Sequence, residues 1–419
     1  MSTPRRYARY SMGGGNRLPQ SQSRLALLLR KHEATGEEEA TETPASSEAK
    51  RDIVHPLRRL EADTDMATQL QVGLVGYGVA GRVFHAPVIN AVPELKLTKI
   101  VERHGEASRQ RYPWVEVVQD IDALLSDAAI DLVVIATPNS SHFELVKQAL
   151  LAEKHVVVDK PFTLTSAQAQ QLIQLAQQTQ KVLSVHHNRR WDGDFQTVQQ
   201  IVRQGYLGQL VEYEAHYDRF RNTLKPGAWR EASEPGSGIL FDLGSHLIDQ
   251  AQVLFGLPQA ITADVRAQRA GANVNDYFEV GLDYGSVKVT LKAGMLVREL
   301  GPHFILHGSK GSFVKYGMDP QEGALRRGLT PTELDWGQEP QAQWGTLNTE
   351  IHGLHFYGQI ETVPGCYQAF YENIYQAIVQ GAELAVKPEE ARNTIRMIEL
   401  ALASSREKCT KVYKDLDER

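Results

Sequence analysis

The sequence predicts an α/β fold in which an N-terminal doubly wound parallel sheet is followed by an α+β domain with a large, open, mainly antiparallel sheet. Three observations carry that prediction. From Gln71 onward, short apolar runs alternate with helical stretches, as right-handed βαβ units require. Beyond Asn188, apolar and polar residues alternate with a period of two through several segments divided by Gly and Asp, most of them without an intervening helix. A sheet with one covered face reads this way. The length of 419 residues leaves room for two or three domains at about 150 residues each.

Residues 1–65 stand apart from this pattern. Residues 1–32 carry Arg and Lys without a single acid, 33–48 are acid-rich, and only 25–29 offer an apolar run, so a disordered extension is expected. An arginine-rich, acid-free start resembles an organelle transit peptide. The simpler expectation is that translation begins at Met66 and the preceding stretch is a mis-assigned start. A dinucleotide-binding domain is then expected over 66–187 and a substrate-binding and oligomerisation domain over 188–415. In the first, strands are expected at 71–75, 95–101, 132–136 and 156–158, with a helix at 143–151. In the second, strands are expected at 210–218, 261–268, 278–283, 287–291, 304–307 and 313–316, and helices at 367–379 and 388–405.

Composition narrows the function. With 42% apolar and 23% charged residues the chain can bury a sizeable core. A net charge of −6, from 45 basic and 51 acidic residues, argues against a nucleic-acid binder held by phosphate neutralisation. No apolar run approaches the roughly 20 residues of a membrane span. Cys366 and Cys409 are the only cysteines, too few for a disulfide framework or a cysteine-built zinc site, and a reducing cytoplasmic setting is expected.

Chemistry enters where the first strand ends, at Gly76-Tyr77-Gly78-Val79-Ala80-Gly81. Glycines so spaced permit a tight turn, backbone approach to a pyrophosphate and close helix packing, while the following helix aims free N–H groups at the phosphates. Alone the motif is weak, but here it follows an apolar strand and precedes a helix. Glu102, at the end of the second strand, suits the ribose hydroxyls of NAD; Arg103 beside it suits the 2′-phosphate of NADP. The reading leans to NAD and leaves both open.

Thr137-Pro138-Asn139 with His142, and Asp159-Lys160-Pro161, follow later strands at the carboxyl ends where such sheets bind ligands. A lysine there can donate a hydrogen bond to a reacting oxygen, although an isolated Lys-Pro is more often an ordinary helix start. After Gly236-Ser237-Gly238, residues Asp242, His246 and Asp249 share one face at helical spacing. A carboxylate beside an imidazole suits a general base near neutral pH. Such a triplet is more often a polar helix face, but this one sits in an otherwise apolar helix, and no metal site is assigned to it.

Taken together, the glycine fingerprint, Thr137-Pro138-Asn139, Asp159-Lys160-Pro161, the run His187-Asn188-Arg189-Arg190-Trp191-Asp192 and Asp242-Leu243-Gly244-Ser245-His246 resemble the Gfo/Idh/MocA oxidoreductases over about residues 70 to 415. The stretches 187–195 and 307–322 and the pair Tyr277-Phe278 are similar to the branch that contains scyllo-inositol dehydrogenases. The resemblance implies a Rossmann domain joined to a domain whose open sheet makes homodimers or homotetramers. It implies Lys160 as catalytic lysine, with Asp159 where the family usually has glutamate, and Asp242 and His246 as the partner pair. It implies Arg189 and Asp249 at positions that touch a polyol. Hydride would pass between NAD or NADP and a secondary alcohol of a cyclic polyol or sugar, with His246 taking the hydroxyl proton, Lys160 binding the oxygen and Asp242 orienting the histidine. A glycosidase using NAD transiently and a non-enzymatic dinucleotide sensor remain as alternatives; neither nucleic acid nor a membrane is an expected partner.

Overall fold

The structure, a computed structural model, describes residues 69–224, 231 and 233–414; the extension expected over 1–65 and the start expected at Met66 lie outside them. Six parallel strands form the first sheet: β1 (Leu70–Val75), β2 (Leu95–Val101), β3 (Glu116–Val118), β4 (Leu132–Ile135), β5 (His155–Asp159) and β6 (Leu183–His186). Their order, β3-β2-β1-β4-β5-β6, reverses direction between β1 and β4 and so opens a crevice above the carboxyl ends of those two strands. Every residue of β4 and β6 is buried, as expected of strands covered on both faces. The flanking helices include α1 (His142–Leu151) and α2 (Ser166–Thr179). Thr165 caps α2 by accepting a hydrogen bond from the Gln168 N–H, and Gln180 ends it in the left-handed region.

The second sheet has nine strands: β7 (Leu210–His216), β8 (Ala260–Arg266), β9 (Tyr277–Asp283), β10 (Lys288–Gly294), β11 (Phe304–Gly308), β12 (Gly311–Lys315), β13 (Gly345–Ile351), β14 (Leu354–Ile360) and β15 (Lys411–Val412). They run in the order β14-β13-β12-β11-β7-β10-β9-β8-β15, antiparallel throughout except where β10 pairs with β7. Helices α3 (Gly193–Arg203), α4 (Ser245–Phe255), α5 (Gln368–Gln380) and α6 (Pro388–Glu407) complete the second half. Helix α6 packs against β8 and α4 of its own half and against α2 of the first. There the Glu399 carboxylate accepts hydrogen bonds from both the N–H and the hydroxyl of Ser166, placing a negative charge at the start of α2.

The expected fold class holds, and the differences lie in short or exposed elements. Strands β3, β6, β13, β14 and β15 were not expected from the sequence. β3 and β15 are too short to show periodicity. In β14 no residue is fully buried, so its apolar positions carry little contrast. The β13–β14 hairpin turns on His352-Gly353, both with positive φ, where the usual signal is Asn-Gly or Asp-Gly. Among the described residues no helix is long and apolar enough to cross a membrane.

The first strand–helix turn is the tightest point of the parallel sheet. Gly76 has φ +98°, and a Cβ on Gly81 would lie 2.0 Å from the Gly76 carbonyl oxygen. Backbone cannot yield there as a flexible side chain could. Gly81→Ala should therefore lower stability by about 1–3 kcal/mol, as overpacking does; a thermal melt unchanged from wild type would show that this turn is not constrained.

Candidate active site

The crevice between β1 and β4 is walled by backbone. Gly76 and Gly81 have no space for a side chain, whereas a Cβ on Gly78 would meet nothing within 4 Å. That open side lets a ligand lie against the main chain, and Gly78, Val79 and Ala80 line the same cavity as Thr137, Pro138, Asn139, Asp159 and Lys160. The arrangement fits a dinucleotide: bare backbone facing the space, followed by the N-terminal end of a helical segment at Ala80–His85. Glu102 closes β2, but its carboxylate is buried and each oxygen accepts a backbone N–H, from Ala107 and from Ser108. Arg103, next in the turn, is exposed.

Lys160 and the two partners expected for it meet across the two halves of the protein. From the end of β5, the Lys160 Nζ donates to the Asp242 carbonyl at 2.7 Å and to Asp242 Oδ1 at 3.0 Å. Asp242 sits in a π-type turn, Leu240–Gly244, that leads into α4. Asn275 fixes the start of this turn by accepting the N–H of Leu240 on its side chain and that of Ile239 on its carbonyl. Helical spacing led us to expect Asp242 to orient His246; the structure gives its Oδ1 to Lys160, and the buried His246 Nδ1 has no hydrogen-bond partner among the described residues. Burial, then the charges of Lys160 and Arg189, hold the His246 pKa well below the ordinary imidazole value, so the ring is neutral at pH 7 and able to accept a proton.

Lys160, Asp242, His246 and Arg189 all line one cleft of about 900 Å³ that also reaches Val79 and Ala80 of the glycine turn. Arg189 is held from behind, pairing with Asp192 at 3.1 Å and with Glu322. Burial alone would raise the Glu322 pKa, but Arg189 and Arg326 hold it down to about 2.

Two of the expected residues serve the scaffold instead. His142 is 1% exposed, and its ring nitrogens lie 2.9 Å from the Pro161 carbonyl and 3.0 Å from the Thr137 carbonyl. A neutral ring donates only one of these bonds, and burial keeps it neutral, so His142 ties two site loops together and does not face the cofactor cavity. Asp249 shares the α4 face as expected but points to Arg190, which reaches its two oxygens at 2.9 Å and 2.6 Å. It is 1% exposed and does not line the cleft. Asn139, by contrast, donates to the Gly236 carbonyl and so joins the Thr137 loop to the Gly236 turn.

Sequence reasoning missed the surroundings of Asp159. Its Oδ1 accepts the Lys160 N–H and lies 3.7 Å from His85 Nε2 and 3.9 Å from His186 Nδ1. Burial would raise the Asp159 pKa, yet the two imidazoles hold it well below the carboxylate range; His186 itself is pushed down to about 4 by burial and by His85. The metal-capable atoms of this trio lie within 4.8 Å of one another. The two imidazoles and the carboxylate form a charge network around Asp159 at the end of β5. His186 ends β6, and recognising that strand would have pointed to it.

Comparison with known proteins agrees with this geometry. Residues 70–187 match a family profile described as "Oxidoreductase family, NAD-binding Rossmann fold", and residues 199–413 one described as "Oxidoreductase family, C-terminal alpha/beta domain". The Bacillus subtilis protein IolW, scyllo-inositol 2-dehydrogenase (NADP(+)), is 41% identical over 81% of this chain and 95% of its own. The Escherichia coli oxidoreductase YdgJ is 43% identical over 82% and 99%. The solved structure of the Bacillus subtilis oxidoreductase YvaA superposes with a TM-score of 0.81 at 39% identity, covering 83% of this chain and 99% of that one.

The Asp249–Arg190 pair generates its own test. Asp249→Ala leaves a buried guanidinium without its two-point partner and should cost about 3–5 kcal/mol in a denaturant titration. A loss below 1 kcal/mol would mean that Asp249 is not a buried structural partner.

Proposed function

The chain belongs to the Gfo/Idh/MocA family of oxidoreductases, and from that premise we propose that it oxidises a secondary hydroxyl of a cyclic polyol of the scyllo-inositol kind, with NADP preferred over NAD. It is an NAD(P)-dependent dehydrogenase acting on CH–OH groups. The observation that carries the finer reading is the convergence of Lys160, Asp242 and His246 on one cleft with the glycine turn. The name of the Bacillus subtilis relative supports the polyol and the NADP. So does the turn after β2: Glu102 is buried and engaged by two backbone N–H groups, which leaves exposed Arg103 as the group able to meet a 2′-phosphate.

When bound, the nicotinamide supplies the acceptor or donor for hydride. The protein's residues position the substrate and manage its proton. Lys160, held by Asp242, donates a hydrogen bond to the reacting oxygen and stabilises the negative charge that grows on it. His246, neutral in its buried setting, takes the hydroxyl proton on oxidation and returns it on reduction. Asp242 fixes the lysine that binds the reacting oxygen, and Arg189 walls the same cleft.

The test is growth of reduced-nicotinamide absorbance with a panel of inositols and aldoses, offered with NADP and, separately, NAD. Scyllo-inositol should be turned over, faster with NADP. Lys160→Ala and His246→Ala should each lose about 10²–10⁴-fold in kcat while still binding cofactor; retained turnover in both would remove these residues from the mechanism. The pH profile supplies a second check. A base works only while unprotonated, so activity falls as pH drops through its pKa. Because the His246 pKa lies below 6.5, the acid limb of kcat/KM should also lie below pH 6.5. An acid limb above pH 7 would rule His246 out as the base.

A further inference from the structure

The charges lining the cleft balance except at one end. Lys160 has Asp242, Arg189 has Asp192 and Glu322, Arg326 has Glu322, and Arg269 has Glu231 and Asp276. Arg219 and Arg221, just past the end of β7, line the same cleft, and neither guanidinium has a carboxylate within 4.0 Å among the described residues.

Their placement is built into the fold. The Arg219 N–H donates to the Gly294 carbonyl, the Val297 N–H to the Arg219 carbonyl, and the Arg221 N–H to the Met295 carbonyl. Between them Phe220 pairs with Leu296 across an antiparallel bridge and carries the Arg298 guanidinium over its ring at 4.0 Å. This short ladder thus brings Arg219 and Arg221, with Phe220 between them, to the wall of the cleft. Arg219 is half-buried. Burial draws its pKa below the ordinary arginine value; the Asp242 and Glu322 carboxylates, beyond ion-pair distance, oppose that shift, while Arg221 and Arg189 add to it. A partly desolvated guanidinium with no carboxylate at ion-pair distance gains from an anion brought to it, and the planar fork of arginine matches a carboxylate or a phosphate at two points.

We infer that the preferred substrate is an anionic cyclic polyol or sugar, one bearing a carboxylate or a phosphate ester that Arg219 and Arg221 hold while its secondary hydroxyl lies at Lys160 and His246. This rests on the dehydrogenase reading above and narrows it: a neutral inositol is accepted, and a matched anion is accepted better.

The experiment uses matched pairs, glucose with glucuronate for the carboxylate and myo-inositol with myo-inositol 1-phosphate for the phosphate ester. For each compound it measures kcat/KM and, by calorimetry on the cofactor-loaded protein, binding. In the wild type at least one anion should exceed its neutral partner tenfold or more, with the advantage falling as salt rises. The arm with the larger ratio identifies the anionic group. Arg219→Leu should bring that ratio close to one, and Arg219→Lys should restore part of it. Equal or better binding of the neutral partner in both pairs overturns the inference, as does an Arg219→Leu variant whose only change is a raised KM for the cofactor. The two readings fail separately. An anion preference in binding without turnover of any compound keeps the anion site and removes the polyol dehydrogenase; turnover of neutral inositol without anion preference does the reverse.

Discussion

The Lys160–Asp242 contact is the constraint on which the site depends. The lysine comes from the end of a strand in the parallel sheet and the aspartate from the turn before α4, so one ammonium is clamped by a carbonyl and a carboxylate contributed 82 residues later. Other bonds hold the two halves in register around it. His85 meets the Tyr371 hydroxyl at 2.6 Å, Ser184 donates to the Val386 carbonyl, and Asn139 donates to the Gly236 carbonyl. Each is buried or partly buried, where a hydrogen bond is costly to break because the groups it frees have no water to turn to. These bonds keep the halves in register and so hold the Lys160 ammonium in a fixed place.

Protonation states follow from the same packing. His246 and His186 are kept neutral by burial, whereas Asp159, Asp249 and Glu322 are kept ionised by the cations or imidazoles beside them. Neutral imidazole and ionised carboxylate thus lie a few ångströms apart, as at Asp159 and His186. Environments that push neighbouring titratable groups apart in this way are how one site keeps distinct charge states side by side.

Much of this was legible in the sequence, for identifiable reasons. The glycine turn, Lys160 and the face carrying Asp242 and His246 are local patterns, set by spacing along one strand end or one helix. What was not legible depended on which distant group a side chain meets. Helical spacing places Asp249 beside His246, but only the fold brings Arg190 to its two oxygens and turns it from a site residue into a buried partner. His142 follows the Thr137 turn in sequence, yet the Pro161 carbonyl that claims it comes from another strand end. The network around Asp159 needed β6, whose alternating sequence, Leu-Ser-Val-His, is only four residues long and too short to stand out. In the second sheet the hairpin β13–β14 shows little hydrophobic contrast: β14 has no buried residue, and the buried positions of β13 are Gly345, Leu347 and Thr349.

Helix α6 bears on how this chain comes to be folded. It is the last helix among the described residues, yet it packs against α2 of the first half and supplies Glu399 to Ser166 across 233 residues of sequence. During synthesis α2 is made before α6, so the Ser166 N–H and hydroxyl wait for the carboxylate of Glu399. Domains made early usually finish folding early. Here the α2 flank of the early half gains its α6 contacts only once the C-terminal segment has been made.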